Sequence, residues 1–498
     1  MKRIVLIVLA GVMLSMAACQ KSSSSSGGGS SSGSGGGTYK VTMMLLSAGT
    51  TPDVGLVQAA INEYIKPMGL ELEFAIMDWT FVQTINLMVS GGEKLDLIPV
   101  WGTDMSNDIA QGKLLPLTPY LDTVMSGTAE VMKDYLIATT FKKDVYGVPT
   151  LRDMAAAYGI CMREDIMTKY GYKIEDIKTP ADLEAMFTVI APKEPNMYMF
   201  YTQGNGNDIT EQMLHDWDPL GSDAYGVLMN HGQNEPLKVV NLFETPEYEE
   251  RARLLRKWYL NGWIVPDATT NPQGGTTQVG AGKLFGFASN LKPGFDAQST
   301  LGAGGVKMVQ SSFTPQLSHS QYIALLNWCI PVTCKNPEKT AQFLNLLFTD
   351  PVVFNLVNWG IEGKHYVKMN DRIVTYPEGV TAETTGYNMN LTWFYGNSLI
   401  GYMWEGNETD VNDQMREFNR TAIFSKATGF NFDTTPVRNA ITSVTNVINE
   451  YRLAMGAGML DVDENLPKFR AALKAAGVDE IIAEKQRQLD AWLAENKL

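Results

Sequence analysis

Residues 22 to 37 of this chain consist only of Ser and Gly. Such a segment has no apolar side chain to bury, so it cannot join a hydrophobic core and is predicted to be flexible coil. Its root-mean-square reach is roughly 20–25 Å, from about 5–6 Å times the square root of its length. It separates a short N-terminal segment from a body of about 460 residues. A body of this length is too large for one core and is expected to form two lobes.

The N-terminal segment has the pattern of an export signal. Lys2 and Arg3 precede an apolar run of about eleven residues, 4–14, which small residues follow. This run is well below the roughly 20 residues that a membrane-spanning helix needs. Two positive charges, a short apolar run and small residues together indicate a secretory signal peptide.

The end of this signal, residues 15–19, resembles a bacterial lipobox. The resemblance implies that residues 1–18 are a signal peptide and that Cys19 carries a lipid such as palmitate. Residues 19–37 would then be a lipidated tether at the outer face of the cell membrane. The alternative is an ordinary signal peptide with a cysteine there by chance.

Charge and motifs exclude several functions. The chain has 54 acidic and 40 basic residues, a net charge of −14, which argues against nucleic acid and against flat docking on an anionic membrane. Its four histidines are not paired at metal-ligand spacing, and no HExxH, Walker A or nucleophile-elbow pattern occurs. We therefore expect no catalysis, no cofactor and no metal.

The three cysteines of the body, Cys161, Cys329 and Cys334, each lie in an apolar stretch. The step from Cys329 to Cys334 fits no common metal spacing. Buried free thiols are predicted, with a 329–334 disulfide as the alternative.

The first third of the body alternates strand-like and helix-like segments. Period-two or continuous apolar patterns predict strands at 39–46, 70–76 and 95–100, and 3.6-residue periodicity predicts helices at 54–65 and 81–89. Alternating strands and helices indicate an α/β fold with a largely parallel sheet. In such sheets ligands bind beyond the carboxyl ends of the strands.

That rule selects the first candidate binding residues. Asp78 and Trp79 follow the second predicted strand, and Trp101 and Asp104 follow the third. An aromatic ring beside a carboxylate offers an apolar face together with a hydrogen-bond acceptor. Packing in the core is the alternative role for each tryptophan.

An ordered set of motifs covers most of the body. The segment 144–153 contains Tyr-Gly-Val-Pro and ends in Thr-Leu-Arg-Asp, with Arg152 and Asp153 as its last two residues. The further motifs, in chain order, are 157–166, 169–171, 179–184, 261–267, 282–294, 330–338 and 359–366. In this order they resemble the extracellular solute-binding proteins of bacterial ABC importers, in the branch that contains sugar binders. The tail 425–498 resembles the C-terminal extension of one lipoprotein subgroup of that family.

The resemblance implies a periplasmic-binding-protein-like α/β fold, with two lobes joined by a multi-segment hinge and the ligand in the cleft between them. By analogy, lobe one is 38–150 plus 319–368, and lobe two is 151–318 plus 369–430. The extension 431–498 is expected to pack on lobe two. Each lobe is discontinuous because the chain crosses the hinge more than once.

A cleft that binds sugar needs aromatic faces for the C–H surface and paired donors and acceptors for the hydroxyls. Residues of these types at predicted loops and strand ends complete the set of ligand-binding candidates. The full set is Asp78, Trp79, Trp101, Asp104, Arg152, Asp153, Asn290, Lys292, Trp359, Glu362, Trp393 and Asn397. Trp258 and Trp492, on amphipathic helix faces, are predicted to serve packing.

The resulting hypothesis is a lipid-anchored, exported, monomeric receptor that binds a carbohydrate, an oligosaccharide in particular, and delivers it to the transmembrane subunits of an ABC permease. Two alternatives stay open at this point. The same fold could bind a peptide or another small acid. A surface-anchored glycosidase would require two carboxylates about 5–10 Å apart in the cleft.

Overall fold

The computed structural model describes residues 37–47, 49, 51–204, 206–221, 225–234, 236–389 and 391–496. The predicted signal peptide and lipidated Cys19 lie outside the described residues. The first lobe contains the parallel pair Tyr39–Leu46 and Leu70–Met77, in which Tyr39 is paired with Leu70. A bridge from Met43 to Leu97 connects this pair to a second sheet. The strands of that sheet, in spatial order, are Ile98–Trp101, Leu326–Cys329 and Val148–Pro149.

Helices cover the first-lobe strands because each has an apolar face. Val57, Ile61 and Ile65 of the helix Val54–Ile65 are fully buried, at the spacing of one helix face. The other helices packed into this first core are Phe81–Ser90, Gly102–Ala110, Thr118–Leu121, Ser126–Met132, Ser320–Ile323, Pro337–Thr349 and Pro351–Trp359.

The second lobe is built on a four-stranded sheet, of which three strands are almost entirely buried and one edge strand is mostly half-buried. Its spatial order is Met308–Ser312, Ala157–Arg163, Leu284–Leu291 and Tyr198–Thr202. Only the last two strands are parallel to each other, so their carboxyl ends meet at the same sheet edge. The helices of this lobe are Glu164–Lys169, Pro180–Ile190, Ile209–Leu214, Pro246–Leu260, Gly275–Gly280 and Phe295–Gly302.

Three chain segments lie side by side between the two lobes and form the hinge. Ala156 and Leu317 exchange backbone hydrogen bonds of 2.9 Å, and Leu317–Ser318 pairs in parallel with Ile423–Phe424. The buried amide of Asn419 accepts from Met154 N at 2.8 Å and donates to Arg152 O at 2.7 Å. Backbone and side-chain hydrogen bonds thus couple all three crossings.

The C-terminal extension shares a third hydrophobic core with the segment 217–252 of the second lobe. Its helices are Arg438–Gly456, Val462–Ala476 and Val478–Asn496. The helix Pro246–Leu260 contributes Tyr248 and Ala252 to this third core, and Leu255 and Trp258 to the core of the second lobe. One helix therefore joins the two cores.

Part of the segment 369–430 packs on the first core. A three-stranded sheet at its start consists of Val367–Lys368, Ile373–Thr375 and Met403–Trp404. The helix Val411–Arg420 follows. Buried apolar side chains between residues 387 and 399, among them Phe394 and Tyr395, join the first core, although the resemblance assigned 369–430 to lobe two. The exact lobe boundaries stay a prediction.

The predicted strands and helices of residues 39–100 are confirmed, with one shifted boundary. The third strand begins at Ile98 because the side chain of Asp96 binds the first strand. The carboxylate of Asp96 accepts hydrogen bonds from Tyr39 Oη at 2.7 Å and Thr42 N at 2.8 Å. Cys161, Cys329 and Cys334 are buried free thiols, as predicted. Within the part of the chain that the structure describes, no helix is both long enough and apolar enough to cross a bilayer.

Three histidines gather where the hinge meets the third core. The rings of His215, His231 and His319 lie 5.5–6.5 Å apart, and all three are buried. Burial lowers the pKa of His231 to about 4 and that of His319 to about 3, in spite of the negative charge of Asp218. Both imidazoles are therefore neutral at pH 7.

The extension should depend on the fully buried Lys485. Its Nζ donates to Pro219 O at 2.9 Å and to Gly226 O at 2.8 Å. Lys485→Met removes this donor from two carbonyl groups, so we expect a loss of about 2 kcal/mol in the free energy of unfolding by urea titration. Lys468→Met, which breaks only the exposed pair with Glu464, should change it by less than about 0.5 kcal/mol. Equal effects of the two variants would contradict this role.

The buried histidines predict acid sensitivity. A histidine with a lowered folded-state pKa contributes stability that is present above about pH 6.5 and is lost as the pH falls toward the folded-state value. His319→Asn keeps a side chain able to accept from Tyr322 N but cannot titrate. Its melting temperature should fall less than the wild-type value between pH 7 and pH 5. The difference in melting temperature between wild type and variant at pH 8 measures the packing cost of the substitution. If the two melting temperatures fall in parallel as the pH is lowered, His319 is not a source of the acid sensitivity.

Candidate functional site

A cavity of about 750 Å³ lies between the two lobes. One wall comes from first-core elements and carries Trp359, Thr392 and Trp393. The opposite wall comes from the second lobe and carries Gln203, Lys292 and the start of the helix Phe295–Gly302. The hinge residues Arg152 and Asp153 close its base.

Indole rings dominate one side of the cavity. Trp359 stacks on Trp404 at 5.5 Å, and Trp393 stacks on Trp101 at 6.5 Å. The four rings are half-buried. Because a neighbouring ring supports each indole, Trp359, Trp393 and Trp404 are held in place while part of their surface borders the cavity.

Trp359 is positioned by the ends of its helix. Asp350 begins this helix by accepting from Val352 N at 2.8 Å and Val353 N at 3.2 Å. Gly360 ends it at φ 78°, and a Cβ there would clash with the ring of His365. The chain therefore turns directly after Trp359, whose Nε1 donates to Tyr402 O at 3.1 Å.

Trp393 is brought to the hinge by a short backbone bridge. Leu151 N donates to Gly396 O at 2.9 Å, and Ser398 N donates to Leu151 O at 2.8 Å. Since Arg152 follows Leu151 directly, this bridge places the segment 393–398 beside the charged base of the cavity.

The base is a network centred on the buried carboxylate of Asp153. Its Oδ1 lies 3.0 Å from Arg152 Nη1 and 3.2 Å from Lys292 Nζ, and its Oδ2 accepts from Tyr322 Oη at 2.8 Å. Burial alone would favour the protonated acid, but Lys292 and Arg152 outweigh it and hold the pKa of Asp153 well below its usual range. The carboxylate is ionised at neutral pH.

The polar wall follows from strand topology. Gln203 comes directly after the strand Tyr198–Thr202, and Lys292 comes directly after its parallel neighbour Leu284–Leu291. The carboxyl ends of neighbouring parallel strands meet at one edge, which is where α/β folds place ligands.

The structure brings five of the twelve candidate residues to the cavity surface: Arg152, Asp153, Lys292, Trp359 and Trp393. Two more lie directly behind it. Trp101 supports Trp393, and Asn290 Nδ2 lies 3.4 Å from the hydroxyl of Tyr322.

The other five candidates do not line the cavity, and their contacts explain why. Asn397 is buried, and its amide binds Leu399 N and Phe348 O. Glu362 pairs with Lys368 at 2.9 Å in an exposed turn. Asp78 accepts from the backbone and hydroxyl of Thr80.

Trp79, beside Asp78, is 53% exposed. Asp104 lies on the helix Gly102–Ala110, half-buried and near Asp108, and burial raises its pKa. Neither Trp79 nor Asp104, which the strand-end rule selected, lies at the cavity surface.

Sequence reasoning missed several lining residues, including Gln203, Gln298, Tyr402, Trp404, Asn407 and Asn412. Trp404 carried a usable signal, because it directly precedes Glu405, the same ring-beside-acid pattern used elsewhere. Gln203 directly follows a strand end, so the strand-end rule could have selected it. Gln298 carried no local signal, since its position depends on the contact between a helix and a distant segment.

The charges at the cavity surface balance. Arg152 and Lys292 are cationic, whereas Asp153 and the exposed Glu405 are anionic. Among the described residues, no group of three His, Cys, Asp or Glu side chains is arranged to hold a metal ion. The site presents ring surface, amides, hydroxyls and an ionic base in which two cations share one carboxylate.

Comparison with known proteins identifies the family. A family model described as bacterial extracellular solute-binding protein matches residues 59–360, and a model described as a domain of unknown function matches residues 426–494. A carbohydrate ABC transporter substrate-binding protein of Streptococcus pneumoniae serotype 4 is 25% identical over 471 residues, which cover 92% of each chain.

Solved structures show the same fold. The N-glycan transport solute binding protein of Streptococcus pneumoniae has a TM-score of 0.80 at 23% identity, over 92% of this chain and 100% of that one. An HMO-binding solute binding protein of Bifidobacterium longum infantis has a TM-score of 0.63 at 15% identity, over 92% and 99%. These relatives are solute-binding proteins and not enzymes, which confirms the predicted fold class and the non-enzymatic assignment. The chain belongs to the family of bacterial extracellular solute-binding proteins.

Proposed function

We propose that this protein is the lipid-anchored receptor of an ABC importer, and that it binds a carbohydrate, an oligosaccharide in particular, in the cavity between its lobes. The observation that carries the proposal is the lining of that cavity. Trp359, Trp393 and Trp404 face a wall of amide and hydroxyl groups across about 750 Å³. This volume lies in the range of roughly 300–1,000 Å³ that small-molecule sites occupy.

The chemistry of the lining favours a sugar over a peptide or a small acid. A sugar offers C–H faces for indole rings and hydroxyls for groups that donate and accept. A charged ligand would need an unbalanced counter-charge, but Asp153 is already shared by Arg152 and Lys292. An ionic ligand would have to disrupt this buried network, and removing one partner from a buried pair is costly.

The comparisons with known proteins also support this ligand class. The pneumococcal relative is named as a carbohydrate ABC transporter protein, and the structural neighbour of TM-score 0.80 is named as an N-glycan transport protein. Both cover over nine-tenths of this chain, so the likeness extends over both lobes and the extension.

The hinge suggests how binding is transmitted. Ligand contacts from both walls stabilise a closed form over an open one, and the permease recognises the closed form. A ligand shifts this equilibrium only by its difference in affinity between the two forms. Lys292 on one lobe and Trp393 on the other are therefore proposed to grip the same molecule, with Arg152, Asp153 and Trp359.

The first test is removal of an aromatic face. Trp393→Ala should weaken oligosaccharide binding about tenfold or more, because an indole buried against a ligand is a typical hot spot, whereas Trp393→Phe keeps an apolar ring and should lose less. Isothermal titration measures both, and small-angle scattering should show the wild-type radius of gyration decrease on binding. The control Trp492→Ala lies in the extension. If peptides or amino acids, but no sugar, raise the wild-type melting temperature, the ligand class is wrong.

The second test addresses the anchor. The export signal, Cys19 and the Ser/Gly tether support attachment through a lipid on Cys19. In a bacterial host, Cys19→Ser should move the protein from the membrane fraction to the medium or periplasm, because a lipid chain adds about 0.8 kcal/mol per buried CH₂. Cys161→Ser, at a buried thiol, is the matched control. Continued membrane recovery of Cys19→Ser would exclude this anchor.

A further inference from the structure

A second cavity, of about 310 Å³, lies on the other side of Tyr322 from the cleft. Three parts of the chain surround it: the helix Ile209–Leu214, the hinge segment 319–325, and the helix Arg438–Gly456 of the extension. Segment 217–248, which packs with the extension, supplies the remaining wall.

Several buried polar groups at this cavity have no hydrogen-bond partner among the described residues. They are both ring nitrogens of His215, which is 6% exposed, the hydroxyl of Tyr248, which is 2% exposed, and Nε of Arg452. His215 Nδ1 lies 3.5 Å from Glu211 Oε1 without hydrogen-bond geometry. The large majority of such groups in folded proteins are paired, because an unpaired buried group keeps the full cost of its lost hydration. Groups of this kind in a cavity wall indicate a bound polar molecule.

The ionisable groups around the cavity leave no excess of positive charge. Arg452 Nη1 lies 3.4 Å from Glu211 Oε2. Asp208, the other carboxyl group of the wall, is buried, and burial raises its pKa to about 6. Arg452, the cation of the described wall, interacts with both of these carboxyl groups, so the wall has no excess positive charge for an anionic ligand, while Thr210 and Asn449 add uncharged donors and acceptors.

Aromatic rings form the deep wall. His215 is stacked between Tyr158 at 4.9 Å and Trp217 at 4.2 Å. The second cavity therefore has the same kinds of groups as the cleft on a smaller scale: aromatic rings lie beside hydroxyl, amide and paired ionic groups.

Tyr322 is common to both cavities. Its ring lines the second cavity, and its hydroxyl donates to Asp153 Oδ2, which lines the cleft. The guanidinium of Arg152 lies 5.0 Å from the centre of the same ring. A ligand that displaces Tyr322 in one cavity therefore perturbs the base of the other.

We propose that this cavity is a second saccharide site that holds one uncharged sugar unit. The proposal rests on the carbohydrate function proposed above and extends it. The volume lies at the lower end of the range for ligand sites, which suits a single ring rather than a chain. The unit comes either from a branch of a glycan held in the cleft or from a free monosaccharide.

The test is a substitution that places a larger side chain at the exposed side of the second cavity and so reduces its volume. Asn449 lies on the helix Arg438–Gly456 and lines the cavity, whereas the equally exposed Asn446 of the same helix does not. Asn449→Trp and Asn446→Trp are therefore a matched pair. Titration calorimetry uses the branched oligosaccharide Man5GlcNAc, its linear fragments, and free mannose and N-acetylglucosamine.

If the unit is a glycan branch, Asn449→Trp weakens binding of Man5GlcNAc at least tenfold and leaves linear fragments within about twofold, while Asn446→Trp binds all of them as wild type does. If the unit is a free monosaccharide, wild type binds monosaccharide at a second stoichiometric step that Asn449→Trp loses. Arg452→Gln, at a partly exposed position, gives a second variant with the same expected loss.

The inference is overturned if both Asn449→Trp and Arg452→Gln bind every saccharide as wild type does while Trp393→Ala remains weakened. That result leaves the proposed function intact. Failure of wild type to bind any saccharide overturns the proposed function and this extension of it together.

Discussion

The carboxylate of Asp153 is the constraint on which the arrangement of both cavities depends. It is buried at the hinge, and a buried charge is tolerated only where partners compensate its lost hydration. Its partners come from three places: Arg152 in the first crossing, Tyr322 in the second, and Lys292 at a strand end of the second lobe. Meeting this requirement fixes the second lobe's cationic side chain against the hinge. It also holds both cationic side chains of the base on the same carboxylate, which is why an uncharged ligand suits the cleft.

The C-terminal extension completes a hydrophobic core of the second lobe. Segment 217–252 has its own core only together with the helices after residue 427, and Lys485 ties the two by donating to carbonyls of Pro219 and Gly226. The second cavity exists because of this partnership, since the helix Arg438–Gly456 forms one of its walls. The extension therefore stabilises the second lobe and also forms part of a cavity wall next to the hinge.

The sequence predicted what local pattern controls. Strands and helices up to residue 100 could be predicted because each has its own periodicity. Trp359 precedes a glycine, and Lys292 lies between a strand end and a proline, so both carried a local signal. Asn397, predicted to bind ligand, does not line the cavity. Nothing in the neighbouring residues indicates that its amide is hydrogen-bonded to Phe348 O and Leu399 N. The second cavity could not be predicted at all. His215, Tyr322 and Asn449 are more than a hundred residues apart along the chain, and only tertiary packing brings them together.

Two cavities that share Tyr322 are thermodynamically linked if both bind. Any effect of one ligand on the affinity for the other must be reciprocal, with coupling free energies of typically about 1–3 kcal/mol. The link is a hydrogen bond from a phenol to the same carboxylate that holds Lys292 against the hinge. A sugar unit that fixes Tyr322 also fixes Asp153, and so lowers the entropy that the cleft still has to lose when it closes. A receptor built this way favours a glycan that fills both cavities over one that fills either alone.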